Sequence, residues 1–285
     1  MLTHLAHGRA RVVEEIRAAA PLMAALAAPV PARGPWLTAA LNVQPAGPLA
    51  RVRPRALVVA RDPDARPDAA ALLLVRRRGT SAAVTLLGAE PGPLPEGRPP
   101  ARLLARDPEA AAHLAAGLVG LLEDLRGPWT LRLAGLPLGD PTLASLAAAM
   151  PDAQLSNSRS RRLVDELDAV GDVRRTVDPA EVERELPAVL ARVPEHQRVF
   201  VRAAARLHAA IGQLEVAVVP GPSAGRPAAV LLTLLDRGPA GTDRWPWWGD
   251  SDVGGLRREL GSPSVTLTAS AGLVRLGRRT PVRQG

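Results

Sequence analysis

The period of the apolar positions changes several times along the chain, and each change marks an element. Val12, Val13, Ile16, Ala20 and Met23 recur at helical spacing, which predicts an amphipathic helix over residues 8–28, kinked at Pro21 where a backbone donor is missing. A short helix opened by Pro35 and Trp36 follows. Three aliphatic runs, 55–60, 69–76 and 81–87, are bounded by Pro, Gly and Asp and predict an antiparallel meander with turns at 62–67 and 78–80. Residues 88–100 hold five prolines and three glycines, too many for a regular element.

Beyond that loop, helix and strand alternate. Asp107-Pro108-Glu109, Asp140-Pro141 and Asp178-Pro179 each put a carboxylate where it can accept from orphan amides, followed by a proline whose missing donor costs nothing at the first helical position. Three helix starts are therefore expected, with a strand at 129–134 between the first two and a strand segment near 153–156. Over 194–211 a helix is predicted with Phe200, Ala204, Leu207 and Ile211 on one face and Arg198, Arg202 and Arg206 on another, ended by Gly212. Strands at 214–219 and 227–235, a helix at 253–260 and strands at 264–269 and 273–276 complete the expectation.

Residues 57–79 and 214–238 share one plan: strand, proline-rich turn, Arg-Pro, paired alanines, aliphatic strand, arginine, glycine. Arg66-Pro67 matches Arg226-Pro227, and Arg78-Gly79 matches Arg237-Gly238, which reads as an internal duplication.

The element order of the first half (two helices, three antiparallel strands, helix, strand, helix, strand) resembles the GNAT acyltransferase fold. With the repeat, and with the stretch WTLRLAGLPLGDPTLASLA from Trp129, the whole resembles the tandem arrangement of Fem-type aminoacyltransferases and cellulose-biosynthesis-type acetyltransferases. The fold expected is mixed α/β: two GNAT-like halves, 1–150 and 151–285, each a mainly antiparallel sheet flanked by helices, the second half shortened.

That resemblance implies acyl or aminoacyl transfer to an amine, with acetyl-CoA or another acyl-CoA held by backbone amides at a helix start and no metal. The family's pattern is Arg or Gln, two residues, Gly, one residue, then Gly or Ala. Arg76-Arg77-Arg78-Gly79-Thr80-Ser81 approaches it but ends in serine, in a strand-to-strand turn. In the second half Ser251, Gly254, Gly255, Arg257 and Arg258 precede or open the helix expected at 253–260 and could cradle an anion, with Trp247 available for stacking on adenine. His208, whose ordinary pKa lies near neutrality, and Asp236 are the candidate catalytic residues. The competing reading is a non-catalytic protein on the same fold that docks a partner or an anionic ligand through arginine and tryptophan.

Composition sharpens these readings mainly by exclusion. The chain of 285 residues has no cysteine, tyrosine or lysine, which removes thiol nucleophiles, disulfides, Schiff bases, a P-loop lysine and the tyrosine acid usual in the resembled family. The net charge of +8 is therefore an arginine charge; the abundance of Ala, Pro and Arg looks like the codon bias of a GC-rich, bacterial genome. Guanidinium forks suit phosphates and acidic partners. Nucleic acid fits less well, because the few aromatics are clustered at Trp245-Pro246-Trp247-Trp248 rather than interleaved with basic residues. That cluster is expected to split, one tryptophan plugging the core and another forming a docking patch for a protein partner through Trp245, Trp247 or Trp248.

Gly221-Pro222-Ser223-Ala224-Gly225 fits a nucleophile elbow in letters only, since His4, His7, His113, His196 and His208 all precede the serine. His4 and His7 lack a third metal ligand nearby. No run approaches a membrane span, and Glu14, Glu15 and Pro21 spoil a weak signal-peptide likeness, so a cytoplasmic location is expected.

Overall fold

The computed structural model describes residues 1–45, 51–62, 65–89, 92–222, 226–238 and 241–272. In chain order the elements are β1 (Leu2–His7), α1 (Arg9–Ala18), α2 (Ala20–Ala25), α3 (Gly34–Asn42), β2 (Val52–Ala60), β3 (Ala69–Arg78), β4 (Ser81–Leu86), β5 (Leu104–Ala105), α4 (Pro108–Glu123), β6 (Trp129–Leu136), α5 (Pro141–Ala149), β7 (Gln154–Asp165), β8 (Arg174–Thr176), α6 (Pro179–Arg192), α7 (Glu195–Ala210), β9 (Leu214–Val219), β10 (Ala229–Gly238), β11 (Gly241–Ser251) and β12 (Leu256–Ala271). The larger sheet runs β1-β2-β3-β4-β6-β12-β7, with β5 on β3; the smaller runs β11-β10-β9-β8. The protein is thus mixed α/β, with helices flanking both sheets. Ladders are antiparallel except between β4 and β6, which run parallel.

Local chemistry explains most boundaries. Asp107, Asp140 and Asp178 cap α4, α5 and α6, each side chain accepting from first-turn amides. The expected first helix breaks at Ala19, two residues ahead of Pro21, which sits in the opening turn of α2 where its missing donor is harmless. β1 was not expected; it pairs with β2 from Leu2↔Ala60 to His7↔Arg55. β6 lies between β4 and β12 with Leu131 and Leu133 buried and Thr130 and Arg132 exposed.

Two expectations need correction. Residues 253–260 form no helix: Gly254 and Gly255 both have positive φ, and from Leu256 the chain runs as β12 along β7. A local helical pattern yields there to a long remote ladder. On α7 the buried stripe is Phe200, Val201, Ala204, Ala205, His208 and Ala209, so Ile211, 51% exposed, lies off the core face. The strand at 273–276 and Ser223 of the elbow-like motif fall outside the described residues.

The two repeated hairpins keep the same register. Val59↔Ala69 and Val219↔Ala229 are equivalent at a displacement of 160 residues. The bonds closing each connection, Asp68 N to Val59 O (2.8 Å) and Ala228 N to Val219 O (2.9 Å), obey the same displacement. Identical punctuation has produced identical loop length and pairing.

The largest core cluster fills the space between the sheets, where α3 packs on α7. There Trp36 meets Phe200 edge-on at 4.9 Å and Trp247 at 5.2 Å. A second cluster, with Leu114, Leu118, Leu131 and Leu133, lies beneath α4 and α5 on the opposite face of the larger sheet. No helix among the described residues is long and apolar enough to cross a membrane.

Candidate functional site

Parallel pairing of β4 with β6 spans only Ala82↔Trp129 to Thr85↔Arg132; beyond it the strands part, and α4 starts from the same end of the sheet. A strand opening facing a helix N-terminus is the geometry in which backbone amides can hold an anion. Here the opening is filled by the chain's own residues 100–105. Ala101 N donates to Gly135 O of β6 (3.1 Å), while Leu104 and Ala105 pair with Ala70 and Ala69 of β3. Arg102 Nη1 reaches Leu26 O (2.6 Å), and Leu103 and Leu104 are buried. Proline and apolar side chains surround what space is left, a cavity of about 40 Å³ lined by Leu72, Leu86, Leu87, Pro100, Leu104 and Ala134 among others.

The helix start is equally occupied. Asp107 Oδ1 takes the amide of Ala110 (2.8 Å), and Glu109 adds a second carboxylate to the first turn. Buried Asp68 lies alongside, bridged to Arg106 (2.7 Å). Burial raises the pKa of Asp140 at the next helix start, its amide bonds offsetting part of that rise.

The residues singled out from sequence do not assemble into one site. His208 is fully buried, its ring 6.2 Å from that of Trp36, and neither ring nitrogen has a hydrogen-bond partner. Burial, helped by the charge of Arg33, pushes its pKa down to about 4. A catalytic base was expected here; the core face of α7 keeps this imidazole from any substrate. Asp236 is held bidentate by Arg33 at 2.8 and 3.0 Å, an ion pair joining β10 to the start of α3.

The second-half anion cradle has no helix behind it. Ser251 Oγ donates to Gly254 O (2.5 Å) and accepts from Val253 N (3.2 Å), which makes a tight turn between β11 and β12. Arg257 pairs with Glu166 (2.8 Å) and Glu259, and Arg258 with Glu96 (2.5 Å). These guanidiniums are spent on strand-edge ion pairs.

Trp247 is buried, donating its Nε1–H to Pro93 O (2.7 Å), so it cannot stack on a cofactor. Trp245 is buried too, bonded to Glu96 O (2.7 Å), with Arg98 4.1 Å over its ring. Trp248 is half-buried against the same cluster. The expected division between plug and docking patch therefore fails. Leu232 faces Trp248 while Thr233 faces Pro246, a bulge that adds a residue at Trp247 and turns all three indoles toward one core.

His4 lies against Glu15 (3.1 Å), and among the described residues no group of three or more His, Asp or Glu could hold a metal ion. Sequence reasoning missed the 100–105 segment as a functional feature; its only signal was proline density.

No family model and no curated protein matches the sequence. Among solved structures the chain is similar to a tandem GNAT protein from the clavulanic acid biosynthesis pathway, determined without acetyl-CoA, with 16% identity and a TM-score of 0.43 over 95% of this chain and 99% of that one. It is also similar to a Drosophila protein determined by a structural genomics consortium, with 12% identity and a TM-score of 0.30 over 92% of this chain and 98% of that one.

Proposed function

We propose that the chain is built twice on the GNAT plan, a first unit over about 1–150 and a shortened second over 151–285, and that it serves as a binding protein for an anionic ligand or partner rather than as an acyltransferase. The order β1, α1–α3, β2, β3, β4, α4, β6, α5, β7 and the register repeated at 160 residues support the duplicated plan. The observation that carries the binding reading is the strand opening filled by residues 100–105.

An acyl-CoA is the group such a plan calls for, and the residues present do not fit it. Its slot is taken by Ala101 and Leu104, and the carboxylates of Asp107 and Glu109 stand where a pyrophosphate would need positive potential. In the second unit the chain turns back after β11 into the larger sheet as β12, without the helix and parallel strand that would make an opening.

Thermal melts in millimolar acetyl-CoA, set beside melts in inorganic pyrophosphate at the same concentration, test this reading. We expect acetyl-CoA to raise the midpoint no further than pyrophosphate does. A stabilisation beyond that of pyrophosphate and near the mass-action value, about 2.7 kcal/mol at a hundredfold excess over Kd, would restore the acyltransferase reading.

A further inference from the structure

Many of the arginines are matched to acids: Arg175 bridges Asp165 and Asp168 (2.8 Å each), and Arg192 bridges Asp250 (2.6 Å) and Asp252 (2.8 Å). Among those that are not, five gather in one region. At the end of the larger sheet away from the strand opening, Arg51, Arg53 and Arg55 alternate into β2, so the period of two places them on one face, the face that α4 covers. Arg77 of β3 joins them, its amide bonded to Arg51 O (2.8 Å). His7 of β1 stands directly opposite Arg55, and Arg126, in the loop after α4, offers its carbonyl to Arg77 Nη1 at 3.5 Å.

No acid forms an ion pair with Arg51, Arg53, Arg55, Arg77 or Arg126 among the described residues. Arg55 Nε is buried with no hydrogen-bond partner. Burial and the neighbouring charge of Arg77 lower the affinity of the Arg55 guanidinium for its proton. Like charges facing across a ladder destabilise it, and a buried donor without a partner costs further. The carbonyls at the end of α4 supply only a partial negative charge. Neither packing nor pairing within the protein offsets this arrangement, and an external anion would.

We propose that Arg53, Arg55 and Arg77, with Arg51 and Arg126 at the rim, form a binding site for a phosphoryl group. Guanidiniums approaching from two strands and a loop match the several oxygens of a tetrahedral dianion better than the two coplanar oxygens of a carboxylate. The site is independent of the strand opening, at the other end of the same sheet, and holds whether or not the chain binds acyl-CoA.

Calorimetric titration with inorganic pyrophosphate at fixed ionic strength tests it. The wild-type protein should bind at one site, and Arg55→Gln and Arg77→Gln should each weaken binding by about tenfold or more, the size of one lost charged hydrogen bond. Arg132→Gln, exposed on β6, should leave it unchanged. In phosphate-free buffer Arg77→Gln should melt no lower than wild type, because it relieves repulsion; exposed Arg53→Gln covers the case in which the half-buried variants fail to fold. Absence of binding, or binding indifferent to all three substitutions, overturns the proposal. Stronger binding of a single-stranded oligonucleotide than of pyrophosphate, lost in the same variants and falling steeply with salt, would support the phosphoryl chemistry and assign it to a nucleic-acid backbone.

Discussion

The imidazole of His208 has no exposed surface, and burial, with Arg33 nearby, holds its pKa at about 4 against 6.5 in the unfolded chain. A depressed histidine pKa means the unfolded state takes up the proton first. Its contribution to stability is therefore present above about pH 6.5 and is lost as pH falls toward 4, by about 3 kcal/mol in all. His208→Leu should remove that component: between pH 7 and pH 4.5 the urea-unfolding free energy of wild type should fall about 2 kcal/mol further than that of the variant. Parallel pH profiles would contradict it. The apolar face expected from helical spacing ran through 200, 204, 207 and 211 and left His208 free to act as a base; the buried stripe takes in 208 instead. The tryptophans show a second limit, because the bulge that turns Trp247 inward depends on Leu232 and Thr233 in the neighbouring strand.

Elements whose ends are decided within a few residues were legible. Each Asp-Pro pair gave a helix start, because the capping carboxylate and the donor-free proline act on adjacent amides. Only the 264–269 part of β12 was legible; its beginning read as helix, since its partner β7 lies far back in sequence and the ladder from Leu256↔Asp165 to Thr268↔Gln154 overrides a local helical pattern. Close backbone approaches hold that ladder against the loop after β4. Gly97 has φ +97°, and a Cβ there would lie 2.1 Å from Cβ of Arg162; Gly261 would meet Gly97 itself at 2.4 Å. Gly254 also has positive φ, but nothing lies within 4 Å of its added Cβ. Gly254→Ala should accordingly cost about 1 kcal/mol of backbone strain, and Gly97→Ala at least twice that in urea melts. Equal costs at the two positions would mean that the contact carries no energy.

For the whole molecule, sequence indicated the duplicated hairpin but not how the chain uses the opening between β4 and β6. The proline-rich stretch after β4 read only as a loop. Its closing role depends on Gly135, Ala69, Ala70 and Leu26, contacts that no local pattern encodes. The return of β12 into the first sheet and the core shared by α3 and α7 likewise bind distant parts of the chain, so the opening cannot be judged from either half alone. Amide hydrogen exchange at residues 101–105, with and without millimolar acetyl-CoA, tests the closed opening most directly. The bond from Ala101 N to Gly135 O predicts slow exchange that the coenzyme leaves unchanged. Fast exchange at Ala101 in the free protein, or a change in its protection when acetyl-CoA is added, would contradict the account.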